Sequence, residues 1–142
     1  MQQTPGKFEL LEADFDGRPM IAMIDMSLRK FKSKSKMSWF LSLSTPLSKP
    51  DSRGLPTQKE AEELNQWEDS IEADLASTCK YAFVGRVTCD GHRELLYYID
   101  QPEPAVPHLQ ELINRRTLRP FAFRCEQDPE WSSVNVYFEA SP

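Results

Sequence analysis

Glycine and cysteine are scarce in this sequence, and long apolar runs are missing. Five glycines stand singly among 142 residues, and no two form Gly-x-Gly. The phosphate-cradling loops of dinucleotide and P-loop sites therefore have no backbone to be built from. Three cysteines and two histidines show no metal-ligand spacing, so neither a zinc site nor a disulfide framework is expected, and the thiols read as reduced. No serine elbow, His-Glu-x-x-His helix or calcium loop occurs. No apolar run approaches the ~18 residues of a membrane span. The opening Met-Gln-Gln-Thr-Pro-Gly lacks the basic start and apolar centre of a signal peptide, which predicts a cytoplasmic setting. The sequence predicts no metal and no cofactor.

Apolar bulk is plentiful by contrast. Eight Phe, three Trp and four Tyr, within 39% hydrophobic residues, suffice for a real core and exclude the disordered class. The length suits one domain, 1–142, with an ordered core over 6–139. A net charge of −5 argues against whole-surface nucleic-acid binding. That charge is unevenly placed. Residues 29–36 hold five of the 17 Lys and Arg and no acid, which leaves −10 on the rest. Residues 57–77 hold seven acids and one lysine.

Two periodicities order the chain. Phe8 to Phe15 reads as a strand ending in an Asp16-Gly17 hairpin turn. Met20, Ala22, Ile24, Met26 and Leu28 alternate with polar residues, as in a half-buried antiparallel strand, although Ile21 and Met23 make its second face partly apolar. A basic tip follows, then a third strand through Trp39, Leu41 and Leu43. After a proline-rich loop, Thr57 and Glu60 form a capping box that opens a helix ending near Ser77. Its apolar face runs through Ala61, Leu64, Trp67 or Glu68, Ile71 and Leu75. Tyr81 to Cys89 and His92 to Asp100 form a hairpin about Asp90-Gly91, with Tyr81, Phe83, Val87 and Cys89 expected on one face. A second helix spans Ala105 to Arg116. A last strand, Phe121 to Glu126, precedes a possible short strand at Val134, Val136 and Phe138.

The order β-β-β-α-β-β-α-β contains β-α-β-β-α-β once the first two strands are set aside. It predicts an α+β, ferredoxin-like α/β sandwich: a mainly antiparallel sheet with an added N-terminal hairpin and two helices on one face. The other face is unusually apolar, with Ile21, Met23, Phe40 and Leu95 as candidates to lie on it. Such a face calls for a cover, and a dimer mate or protein partner is expected there.

The run from Phe83 to Tyr98, Phe-Val-Gly-Arg-Val-Thr-Cys-Asp-Gly-His-Arg-Glu-Leu-Leu-Tyr-Tyr, is followed late by Asp128-Pro129-Glu130-Trp131. Together they resemble bacterial domain-of-unknown-function family 695, over residues 6 to 139. That family is similar to the regulator of ribonuclease E activity B, which has a ferredoxin-like fold. The resemblance implies that fold and brings no catalytic residue.

The hairpin is the densest polar cluster. Turning at Asp90-Gly91, it sets Cys89 opposite His92 and Val87 opposite Glu94, and brings Arg86, Arg93 and Thr88 to one face. Two guanidinium groups there suit a carboxylate or phosphate; paired with neighbouring acids they merely fix register. Cys89 beside His92 has the composition of a thiolate–imidazole dyad, or of a structural thiol. Glu94 and Asp128 are the carboxylates to weigh for acid–base chemistry, and nothing in the sequence brings them together. The expected activity is binding rather than catalysis, through the apolar sheet face, with Arg86, Arg93 and Tyr97 or Tyr98 near the contact. An anion sensor or uncharacterised enzyme using Arg86, His92, Arg93 and Glu94 is the alternative. RNA association through Lys30, Lys32, Lys34 and Lys36 is a third reading. Asp128 and Trp131 complete the candidates.

Overall fold

The two Asp-Gly turns set the frame. In the computed structural model, which describes residues 6–116 and 118–140, Asp16 and Gly17 have φ of 52° and 81°, and Asp90 and Gly91 of 48° and 79°. These are the paired positive values that a two-residue hairpin requires and that glycine supplies without a Cβ clash. The first turn joins β1 (Phe8–Phe15) to β2 (Arg18–Asp25), and the second joins β4 (Tyr81–Cys89) to β5 (His92–Ile99). With β3 (Trp39–Pro46) and β6 (Ala122–Gln127) they form one six-stranded antiparallel sheet, in the order β1-β2-β4-β5-β3-β6. Among the described residues three α-helices accompany it: α1 (Gln58–Ala76), α2 (Ala105–Arg115) and α3 (Asn135–Glu139). Among the described residues no helix is long and apolar enough to cross a membrane.

α1 and α2 cover one face. Leu64, Trp67, Ile71 and Leu75 of α1, with Ala105, Leu109 and Leu112 of α2, pack on Leu41, Leu43, Tyr81, Leu95, Tyr97 and Ile99. The three- and four-residue spacing on α1 puts its apolar side chains on a single stripe, and each one fully buried contributes about 1.5–3 kcal/mol. The capping box forms by half. Thr57 accepts the Glu60 N–H at 3.2 Å. The Glu60 carboxylate turns away from Thr57 to the backbone of Ser48 and Lys49 and to Arg119.

The second sheet face is covered by the chain itself, which corrects the expectation of an open face awaiting a partner. Leu28, Trp131, Val134 and Phe138 seal Ala22, Ile24, Phe40, Ala82, Val84, Leu96 and Tyr98. The basic tip is therefore no free hairpin. Met26–Lys30 and Lys34–Lys36 are short 3-10 turns, tied to the C-terminal segment by Arg29 donating to Phe138 O and by Trp131 Nε1 donating to Lys34 O. Nor is the tail a strand: Ser132–Val134 and α3 are helical. Val134 and Phe138, four residues apart, share the buried side, while Val136 is 64% exposed.

A bulge changes which residues share a face. The β4–β5 register slips between Phe83 and Gly85, so one extra residue reverses the alternation beyond it. Tyr81 and Phe83 face the helices, as do Arg86 and Thr88, whereas Val87 faces the other way. The expected grouping of Tyr81, Phe83, Val87 and Cys89 is thus split. The same register puts Ile21 and Met23 on the helical side, through Thr88 and Arg86, and Leu95 lies in the helical core. Of the four residues assigned to the second face, Phe40 alone is there. A Cβ on Gly85 would meet Met23 O at 2.2 Å, so glycine allows β2 this close to the bulge.

Candidate functional site

The β4–β5 hairpin pairs Cys89 with His92, Thr88 with Arg93 and Val87 with Glu94, in the register its turn predicts. Arg86 and Arg93 accordingly share the helical side. They differ sharply in their partners. Arg86 donates to Glu68 of α1 through Nε at 2.8 Å and Nη2 at 2.6 Å. That bidentate bond raises its pKa against the effect of burial. Arg93 is 8% exposed and donates Nε to Thr88 Oγ1 at 2.7 Å. Burial, then the neighbouring charge of Arg86, lowers its pKa below the ordinary arginine value. The two guanidinium groups therefore do not form an open fork, because α1 already fills the grip of Arg86.

The remaining hairpin candidates are dispersed. Glu94 lies on the opposite face and accepts the Ser42 hydroxyl. His92 is exposed at the turn, with Nδ1 3.2 Å from Asp90 O. Burial and then the charge of Asp90 raise the Cys89 thiol, the reverse of what a nucleophilic dyad needs. Tyr97 is buried in the helical core, edge-on to Tyr81 at 5.9 Å. Among the described residues no cluster of three or more His, Cys, Asp or Glu could hold a metal.

Asp128 and Trp131 meet Tyr98 instead of Glu94. Trp131 stacks on Tyr98 with ring centroids 4.1 Å apart and planes 7° from parallel. The Tyr98 hydroxyl donates to Asp128 Oδ2 at 2.6 Å, and Asp128 also accepts the Ser132 and Ser133 N–H groups at 2.9 Å. Burial opposes ionisation of Asp128, but these bonds outweigh it and lower its pKa. Trp131 Nε1 donates to Met37 O at 2.9 Å, and its φ of 59° is an outlier for a bulky residue. The Asp-x-x-Trp motif is thus a clamp that closes the C-terminal segment over the sheet. Lys34 joins it, lying 5.6 Å from the Trp131 ring centroid, and Arg29 donates to Phe138 O at 2.7 Å. Lys30, Lys32 and Lys36 remain exposed.

What sequence reasoning passed over is the far edge of the sheet. Among the described residues, Phe8, Leu10 and Phe15 of β1 and Val136 of α3 are the large hydrophobic residues with high exposure, at 39%, 55%, 66% and 64%. Between β1 and α3 lies an apolar cavity of about 530 Å³, lined by Leu11, Ala13, Phe15, Met20, Val136 and Tyr137 among others. The signal was present: a terminal strand with apolar residues at both odd and even positions.

A family model described as a family of unknown function (DUF695) matches residues 8–139. No curated protein matches the chain, and no solved structure does.

Proposed function

This chain belongs to the DUF695 family, whose function is unknown, and we propose that it acts by binding an extended, basic segment of a partner protein along β1. One observation carries the reading: the exposed large apolar side chains gather on β1 and the adjoining α3. β1 ends the sheet, with β2 on one side and no described strand on the other. A regular eight-residue edge without proline, lysine or arginine is guarded by acids alone, which leave it open to a basic strand. The other edge, β6, is shorter and carries Arg124 and Glu126.

Charge selects the occupant. Glu9, Glu12, Asp14 and Asp16 give this edge four acids and no base between residues 8 and 16. A second copy of β1 would set acid against acid, at about 1 kcal/mol per close pair in water. A strand alternating Lys or Arg with apolar residues satisfies both the acids and the cavity. The order β4-β5-β3-β6 with α1 and α2 on one side supports a ferredoxin-like core, to which β1 and β2 are added as the binding edge.

Fluorescence anisotropy with labelled peptides alternating Val with Lys, or Val with Glu, tests this. The Lys peptide is expected to bind, to weaken with salt, and to lose about tenfold in affinity on Phe15→Ser. Equal binding of both peptides, or indifference to Phe15→Ser, overturns the reading. So does a dimer through β1 in light scattering.

A further inference from the structure

Two arginines and a break in helix geometry meet where α2 ends. Arg116, the residue closing α2, has φ 58° and ψ 31°. Glycine or asparagine normally takes this left-handed position, because a Cβ there is strained. The chain then returns towards β6 and leaves a cavity of about 460 Å³, with Leu112, Ile113 and Phe121 in its wall and Arg116 and Arg119 beside them. A second cavity of about 390 Å³, containing Ser48, Ser70 and Trp67, shares Arg119 with the first.

Arg119 is held in one orientation. Its Nε donates to Thr45 Oγ1 at 3.0 Å, and Nη2 to Pro46 O at 2.9 Å and Glu60 Oε2 at 2.8 Å. Nη1 has no partner among the described residues, and neither has the Arg116 guanidinium. Trp67 Nε1 is the buried side-chain nitrogen or oxygen left without a hydrogen bond among the described residues. A pre-aimed guanidinium and a free one thus border a first cavity whose other walls are apolar, and the orphan indole N–H lies beside the second, among Ser48, Glu63, Gln66 and Ser70.

We propose that this cleft binds a small organic monocarboxylate with an apolar tail, the carboxylate on Arg119 and Arg116 and the tail among Leu112, Ile113 and Phe121. The charge fixes the class. Arg116 and Arg119 against Glu60 leave one positive charge beside the first cavity, which matches a monoanion better than a dianion such as phosphate. The site lies apart from β1 and stands independently of the strand-addition reading.

Octanoate is the probe, with octanol and inorganic phosphate as controls, followed by calorimetry and by the Trp67 indole N–H resonance. Octanoate is expected to bind, to shift that resonance, and to exceed octanol by about tenfold or more, the worth of a charge-assisted hydrogen bond. Arg116→Gly suits the left-handed position, so the fold should be at least as stable while octanoate affinity drops by about tenfold. Absence of octanoate binding in the millimolar range overturns the proposal. Parity with octanol, tighter binding of phosphate, or full affinity in Arg116→Gly does so too.

Discussion

Replacing Glu60 with glutamine tests how the loop before α1 is held. Glu60 is 3% exposed. Its carboxylate accepts the Ser48 N–H at 2.5 Å, the Lys49 N–H at 3.2 Å and the Arg119 Nη2 at 2.8 Å. Burial alone would raise its pKa, but these bonds outweigh burial and bring it from 4.5 down to about 2. At about 1.4 kcal/mol per pH unit, that difference makes the ionised form worth about 3 kcal/mol to the fold. The sign follows from the depressed folded value. The contribution is complete above the unfolded pKa near 4.5, and is lost as pH falls towards 2. Glu60→Gln keeps the shape, replaces one acceptor oxygen with a donor and leaves Arg119 without its counter-charge. It is expected to cost about 2–4 kcal/mol at pH 7, a fall of several degrees in Tm for a chain of this size. Urea unfolding of both proteins at pH 7, 5 and 3 measures this, with the gap shrinking at the lowest pH. A gap below about 0.5 kcal/mol at pH 7, within the range of ordinary surface substitutions, refutes the reasoning. A gap that persists undiminished at pH 3 refutes it equally.

Other substitutions probe the sheet and the hairpin. Trp131→Ala removes the ring that stacks on Tyr98 and should cost about 3–5 kcal/mol in urea unfolding; a loss below about 1 kcal/mol, smaller than core truncations give, would mean that the clamp does not seal the second face. Gly85→Ala drives a Cβ to 2.2 Å from Met23 O, so thermal unfolding should show a loss of at least about 2 kcal/mol, and a neutral result would contradict the close β2–β4 approach. Cys89, its thiol raised by burial and Asp90, should react with iodoacetamide at pH 7 more slowly than glutathione does. Mass spectrometry of the alkylated peptide decides this, and a faster rate would revive the thiolate–imidazole reading.

Local signals were legible in the sequence, and signals that depend on the path of the chain were not. Asp16-Gly17 and Asp90-Gly91 specify their turns within two residues, and Leu64, Trp67, Ile71 and Leu75 mark the buried side of α1 by spacing alone. The register of Cys89 with His92 followed from the turn. The bulge beside Val84 did not, because the residue it adds has no side-chain signature, and it moved Val87 away from Phe83. The tail was ambiguous for a different reason. Val134, Val136 and Phe138 satisfy a period of two, but Val134 and Phe138 also satisfy a helical step of four, and burial selects the latter. In the site, Arg86 and Arg93 were rightly brought to one face. The acid that occupies Arg86 sits eighteen residues earlier, on another element, where no hairpin argument reaches.

The second sheet face is apolar as expected, but three of the four residues assigned to it lie on the helical side, and its cover comes from the same chain. A two-faced sheet needs two layers, and composition does not say whether the second layer comes from a partner or from the same chain. Here residues 26–36 and 128–139 supply it. The basic tip is thereby drawn in: Lys34 and Arg29 bind the clamp, leaving Lys30, Lys32 and Lys36 at the surface. With both faces of the central strands occupied, the binding we propose falls where the layers stop. The helices cover one side and the C-terminal segment the other, yet β1 keeps only one of its eight residues from high exposure. A strand that spends apolar side chains on solvent gains nothing for the fold by doing so. The acids placed between those side chains on β1 are the reason the proposed guest is a basic segment and not a like copy.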